Sequence, residues 1–185
     1  ADAALFVTEA EANLFRRAAP EVADRLQVVQ NGVDADYFSP DHGFANPYPE
    51  GGPVVVFTGA MDYWPNVDAV SWFARDLLPQ VRARLPGVRF WIVGMNPSTA
   101  VQALAGEGII VTGTVPDVRP YLAHADVIVA SLRVARGIQN KVLEAMAMAR
   151  PVVVSAAAAA GLSAQQGREC EIAATAEEFV AQVVN

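Results

Sequence analysis

The chain of 185 residues is 53% hydrophobic and has a formal net charge of −7, which predicts one α/β domain with a sizeable core. The acidic balance argues against nucleic-acid binding, because a phosphate-rich polymer needs a basic face. An apolar run of about 18 residues, as a membrane span requires, is absent. The opening ADAALFVTEAEANLF has acidic residues where a secretory signal needs basic ones. The single Cys170 excludes an internal disulfide framework.

The first part of the chain predicts a strand near Phe6, an amphipathic helix, and a second strand near Val28 that leads into Asn31-Gly32. An Asn-Gly pair can also close a β-hairpin, although the residues that follow do not alternate as a return strand would. The next segment, 40–53, is rich in Pro and Gly and predicts a connector.

The remainder of the chain alternates between short apolar runs and helical patterns. This alternation predicts a doubly wound, Rossmann-like parallel sheet with helices on both faces. In such sheets, ligands bind at the carboxyl ends of the strands. The predicted strands are 54–57, 90–93, 109–111, 127–129 and 152–154, and the predicted helices are 66–84, 98–105, 118–124 and 140–148.

Three of these strands end at a glycine: Gly59, Gly94 and Gly113. Glycine allows a sharp turn, which explains each of the three adequately. Glycine at the ligand edge of a sheet also allows a phosphate or a base to approach the backbone. The usual glycine-rich fingerprints of dinucleotide and triphosphate sites do not occur in the sequence.

The segment 136–154, RGIQNKVLEAMAMARPVVV, predicts a loop, a helix and a buried strand. Gly137 allows close approach of a ligand, and Gln139, Asn140 and Lys141 present N–H groups and polar tips at the helix start. Unpaired N–H groups at that position attract anions. Lys141 is the one lysine among thirteen basic residues. A coding bias toward arginine explains this equally well, but the pattern indicates an anion site at the mouth of the helix.

Five segments occur in a characteristic order along the chain: VVQNGVDADYFSP, VVVFTGAMDYWPNVDA, FWIVG, VTGTVPDVRPYLAHADVIVAS and RGIQNKVLEAMAMARPVVV. In these segments and their order, the chain resembles the C-terminal half of a retaining GT-B glycosyltransferase of the glycogen-synthase-like and sucrose-synthase-like family. More narrowly, it resembles sugar transferases of exopolysaccharide and exosortase systems. The resemblance implies a domain that binds a nucleotide-diphosphate sugar for hexose transfer to a glycan or lipid-linked acceptor, with no cofactor and no obligatory metal.

The resemblance also implies a domain organisation. Residues 1–40 would be a leader from the end of the N-terminal domain together with the interdomain crossover. Residues 41–185 would be the C-terminal donor-binding domain, shortened at its C-terminal end. The missing N-terminal domain would bind the acceptor, so we expect the isolated domain to be inactive. The parent enzyme is expected in the cytoplasm, either free or peripheral to the inner membrane.

The resemblance assigns roles to several residues. Glu144 would accept hydrogen bonds from the ribose hydroxyls, although an acid in the first turn of a helix is also favoured by the helix dipole. Val115 would pack against the base, although Pro116 beside it is equally typical of a turn. Gly59 would let the donor approach the backbone. A catalytic residue is not assigned.

The sequence departs from the family at two places. Arg136 replaces a Glu that usually contacts the donor sugar, and an arginine cannot accept a hydrogen bond. The loop after Gly59, AMDYWPN, lacks the usual basic residues, and its Asn66 is typical of a helix cap after Pro65. We therefore expect Arg133, Arg136 and Lys141 to converge on the diphosphate.

Two other functions are alternatives. A nucleotide-sugar 2-epimerase shares the two-domain fold but needs acidic and histidine groups in the cleft, whereas His124 lies at a predicted helix end and His42 in the connector. A non-catalytic nucleotide-binding or scaffold module is favoured by Arg136.

Overall fold

The computed structural model describes residues 2–185, which begin with a small unit of two strands and a helix. Strand β1, Ala4–Phe6, pairs in parallel with β2, Leu26–Val28, and helix α1, Glu9–Ala18, connects them. A 3-10 turn, Pro20–Arg25, completes the connection. Because the strand before Asn31 pairs with an earlier parallel strand, the hairpin alternative for Asn31-Gly32 is wrong. A further short 3-10 turn, Pro40–His42, lies in the connector.

The main sheet has six parallel strands in the order β5-β4-β3-β6-β7-β8. All five predicted strands are present, and the central ones are buried along their whole length, which explains their continuous apolar runs. The sixth strand, β8, was not predicted. The strands are β3, Val54–Thr58; β4, Arg89–Val93; β5, Ile109–Gly113; β6, Val127–Ala130; β7, Val152–Ser155; and β8, Glu171–Ala173.

Helices follow the strands and confirm the predicted Rossmann-like α/β fold. The core is built from aromatic and aliphatic side chains; for example, the rings of Phe73 and Phe90 lie 4.5 Å apart between centroids. The helices are α2, Trp64–Trp72, which continues through a π-helical turn, Phe73–Leu77, into α3, Leu78–Arg84; α4, Thr99–Gln102; α5, Arg119–Ala123; α6, Asn140–Ala147; α7, Ala156–Ala159; and α8, Ala176–Val184. Across residues 2–185, no helix has the length and hydropathy needed to cross a bilayer.

The strand order reverses between β3 and β6, and this is where ligands bind in open parallel sheets. At the carboxyl edge, the loops after β3 and β4 are joined, since the N–H of Gly59 donates to the Val93 carbonyl at 3.1 Å and that of Met61 to the Met95 carbonyl at 2.8 Å. A Cβ at Gly94 would lie 1.7 Å from the Gly59 carbonyl oxygen, so this contact requires glycine. The two loops therefore form one connected rim above the sheet.

Candidate functional site

A cavity of about 480 Å³ opens at the carboxyl ends of β3, β4 and β5, against the start of α6. Its size is typical of small-molecule sites. Five of the nine predicted donor-binding residues line it: Gly59, Val115, Asn140, Lys141 and Glu144. The other lining residues are Thr58, Ala60, Val93, Gly94, Met95, Thr114, Val118 and Ile138.

Lys141 lies in the first turn of α6 and extends into this cavity. Its Nζ donates a hydrogen bond to Oδ1 of Asn66 at 2.6 Å and lies 4.0 Å from the centroid of the Phe57 ring. Burial lowers the pKa of Lys141 to about 7, and the nearby Glu144 carboxylate partly opposes that shift. The ammonium is thus held by a neutral amide and an aromatic face, and an anion in the cavity would stabilise its charged form.

Asn66 is buried, at 6% exposure, and its side chain joins the two sides of the cavity. Its Nδ2 donates to the Ala60 carbonyl at 2.9 Å while its Oδ1 accepts from Lys141. Gly59 makes room for this pair: it has a φ of +154°, and a Cβ there would lie 2.7 Å from Asn66 Nδ2.

The prediction that Asn66 caps a helix is wrong. Helix α2 begins two residues earlier, at Trp64, with Tyr63 as its N-cap. Asn66 lies three, four and seven residues before the buried Ala69, Val70 and Phe73, so it occupies a core position of the helix. In the sequence, Asn66 is a polar residue at a position where the helical pattern places core residues, and this pattern could have identified it.

Glu144 is the fifth residue of α6 and therefore lies in the second turn, not in the first as predicted. The effect of the helix dipole falls off within the first turn, so it does not explain an acid at this position. The side chain is half-buried and lines the cavity. Burial raises the pKa of the Glu144 carboxyl, and Lys141 opposes that shift.

The start of α6 has no side-chain cap. Nε2 of Gln139, the N-cap residue, donates to the Arg136 carbonyl at 3.0 Å, so its side-chain amide is engaged outside the helix. Oδ1 of Asn140 accepts from Nδ2 of Asn31 at 3.0 Å, which brings the segment after β2 to the mouth of the helix. Asn31 is a neighbour of the site that the sequence did not single out.

The predicted convergence of three cations is not what the structure shows. The Arg133 guanidinium pairs with the Asp68 carboxylate, with Nε 2.9 Å from Oδ2 and a second bond between the same groups, and this pairing raises the pKa of Arg133. Arg136 and Gly137 instead line a second groove of about 790 Å³, formed mainly by β1 and α1. Lys141 alone of the three lines the cavity, because local ion pairing and the path of the loop direct the arginines elsewhere. Arg133, Arg136, Gly137 and Gln139 do not line the cavity, and the donor-binding roles of all nine residues stay predictions.

The family described as glycosyl transferases group 1 matches residues 52–185. This chain belongs to that family. The match covers the six-stranded sheet and all of the residues that line the cavity. No curated protein sequence matches the chain.

Solved structures of glycosyltransferases have the same fold. The Anabaena protein Alr3699/HepE, solved in complex with UDP and glucose, is 17% identical and superposes over 100% of this chain and 52% of its own, with a TM-score of 0.74. A glycosyltransferase from Rickettsia africae is 16% identical over 98% of this chain and 52% of its own, with a TM-score of 0.72. Sucrose-phosphate synthase from Thermosynechococcus elongatus is 17% identical over 99% of this chain and 48% of its own, with a TM-score of 0.70.

The chain therefore spans about half the length of the glycosyltransferases that it matches. The resemblance to a Rossmann-like domain of a GT-B glycosyltransferase is confirmed at the level of fold and family.

Proposed function

We propose that this chain binds the nucleotide-diphosphate sugar donor of a retaining glycosyltransferase, in the cavity that contains Lys141 and Glu144. Residues 41–185 would be the C-terminal donor-binding domain, and residues 1–40 the end of the N-terminal domain and the crossover. The observation that carries the proposal is a lysine and a glutamate, both half-buried and one helical turn apart, at the carboxyl edge of the sheet, with the lysine ammonium partly desolvated.

The diphosphate would lie at the start of α6. The free N–H groups of the first turn attract phosphate oxygens, and Lys141 adds a positive charge that burial has left without full solvation. Transfer would move negative charge onto the departing diphosphate, and these groups would stabilise that charge without a metal ion. No cofactor is required.

Glu144 would bind the ribose. A carboxylate has two oxygens, which can accept hydrogen bonds from both hydroxyls of a vicinal diol such as that of ribose. Glu144 lies one turn further along α6 than the free N–H groups. In a nucleotide the ribose is likewise the unit next to the phosphates, so the two positions match. Val115 and Gly59 line the same cavity and would contact the base and the diphosphate.

The donor is proposed to be a hexose nucleotide, and the acceptor a glycan or lipid-linked sugar in polysaccharide biosynthesis, as in exopolysaccharide systems. The Anabaena neighbour crystallised with UDP and glucose makes UDP the first nucleotide to test. The acceptor would be bound by the rest of the parent enzyme, which would act in the cytoplasm, free or at the inner membrane.

Calorimetry of this protein with UDP, GDP and ADP tests the proposal. We expect one of the three to bind, weakly and with a stoichiometry of one. A folded sample that binds none of them would contradict the donor site.

Transfer itself is tested in the full-length parent with radiolabelled nucleotide sugars. Glycoside formation supports the transferase. Conversion of the free nucleotide sugar to its epimer would show an epimerase, and binding without either product would show a non-catalytic module.

A further inference from the structure

The side chain of Asn66 connects two parts of the cavity that are far apart in sequence. Asn66 lies on α2, and its bonding partner Lys141 lies 75 residues later on α6. The amide is used at both ends: Nδ2 donates to the Ala60 carbonyl in the loop after β3, and Oδ1 accepts from the Lys141 ammonium. Removing either polar end would leave a partly buried group, the Ala60 carbonyl or the Lys141 ammonium, without this hydrogen bond.

The surroundings of Lys141 Nζ are otherwise poor in partners. Nζ faces the ring of Phe57 on β3 and the close-packed backbone of Gly59, and the charged group that acts on it is Glu144 of its own helix. A neutral amide oxygen can orient an ammonium without neutralising it. A carboxylate in the same place would form an ion pair and would compete with an incoming anion.

We propose that Asn66 is a positioning residue of the diphosphate site, which fixes the Lys141 ammonium at the cavity edge while leaving its charge available to an anion. The functional part of this inference rests on the proposed donor site. The contact itself does not, and it can be tested without any ligand.

The single lysine of the sequence makes a direct test possible. Protein prepared without a lysine-containing tag and labelled with ¹³Cε-lysine gives one side-chain signal, that of Lys141, whose chemical shift reports its protonation. In the unmutated protein, we expect a nuclear Overhauser contact between the Hε protons of Lys141 and the Hδ2 protons of Asn66. The absence of this contact would overturn the proposal before any variant is made.

Two variants should move the titration midpoint of Lys141 in opposite directions. Asn66→Asp places a carboxylate against the ammonium and should raise the midpoint by roughly one pH unit or more. Asn66→Leu keeps a similar volume but removes the acceptor, so it should lower the midpoint. Asn13→Asp makes the same charge change on the exposed face of α1 and should leave the midpoint unchanged. If Lys141 titrates with the same midpoint in the unmutated protein and in all three variants, Asn66 does not position the Lys141 ammonium.

Binding of UDP gives the functional readout. Asn66→Asp should weaken UDP binding about tenfold or more because the new ion pair occupies the ammonium, while Asn13→Asp should bind like the unmutated protein. If the unmutated protein binds none of UDP, GDP and ADP, the proposed donor site fails, and the titration still decides the role of Asn66. If it binds GDP or ADP instead of UDP, that nucleotide replaces UDP in this comparison. If Asn66→Asp shifts the midpoint but binds UDP normally, Asn66 positions Lys141 without serving the nucleotide, and this inference is wrong.

Discussion

Two concave surfaces of this molecule contain a predicted cation, and they differ in what surrounds it. The cavity with Lys141, of about 480 Å³, is built from strand ends and the mouth of a helix. The groove with Arg136, of about 790 Å³, is larger and mainly apolar, with Leu5 and Leu14 more than 60% exposed at its edge. The larger surface holds an exposed arginine, whereas the smaller one holds a half-buried lysine whose pKa is lowered by desolvation.

This difference shows which of the two cations indicates a binding site. An exposed guanidinium needs no partner because water solvates it, so Arg136 requires no anion to explain it. A buried ammonium whose pKa is lowered costs folding free energy, and such groups cluster at functional sites. The burial of the charge, and not the size of the concavity, favours the Lys141 cavity as the site of the nucleotide.

The largest expected effect is the loss of UDP binding on removal of Lys141, compared with the removal of Arg136. Lys141→Met should weaken UDP binding by roughly 10- to 100-fold, the value of a charge-assisted contact to phosphate. Arg136→Met, the matched change in the groove, should alter the dissociation constant by less than about threefold. Calorimetry of both variants at pH 6.5 makes the comparison. Equal losses in the two variants would erase the distinction between the surfaces.

A smaller effect is expected on replacement of Glu144, with Glu11 in the groove as the matched control. Glu144→Gln in the cavity should weaken UDP binding by about 1–2 kcal/mol, because an amide is a poorer acceptor for ribose hydroxyls than a carboxylate. Glu11→Gln, in the groove, should leave binding unchanged. An unaltered affinity for Glu144→Gln with an intact fold would remove the ribose role.

The stability of the protein should depend on pH through Lys141. The pKa of Lys141 is about 7 in the folded chain against an ordinary value of 10.5, so between these values the unfolded chain binds a proton that the folded chain does not. Stability therefore rises with pH in this window. From pH 7 to 9, the free energy of unfolding of the unmutated protein should rise on the order of 2 kcal/mol relative to Lys141→Met. Urea unfolding of both proteins at the two pH values measures the difference, and parallel stability curves would argue against a buried ammonium.

The smallest effect is expected for Arg136→Glu, which restores the residue usual in the family. If Arg136 acts on the diphosphate from the groove, the contact is long-range, so the substitution should weaken UDP binding by only about two- to threefold, and more at low salt. A loss independent of ionic strength would point to a change of structure. If the substitution instead increases transfer by the full-length enzyme, the site uses the ordinary pocket of the family and Arg136 does not serve the donor.

The sequence predicted the features that depend on local pattern. Strands β3, β6 and β7 are buried along their whole length and so appear as unbroken apolar runs. Strand β8 has three residues and begins with a glutamate, and no periodicity can be read from so short a segment. Lys141 could be found because one lysine among arginines is visible without a structure.

The features that were missed depend on contacts between distant residues. Asn66 meets Lys141 across 75 positions, and Arg133 meets Asp68 across 65. No spacing rule connects such pairs, so the sequence could predict neither the bridge of Asn66 nor the pairing that directs Arg133 away from Lys141. The position of Glu144 was misjudged for a simpler reason. The helix begins at residue 140 as predicted, and the fifth residue of a helix already lies in its second turn.

The most direct test of the central claim is the titration of Lys141, followed through its ¹³Cε signal, with and without saturating UDP. The free protein should titrate with a midpoint of about 7. Bound diphosphate would stabilise the charged ammonium, so the midpoint should rise by about one pH unit or more. A midpoint that does not move when calorimetry shows UDP to be bound would place the nucleotide elsewhere and contradict the account.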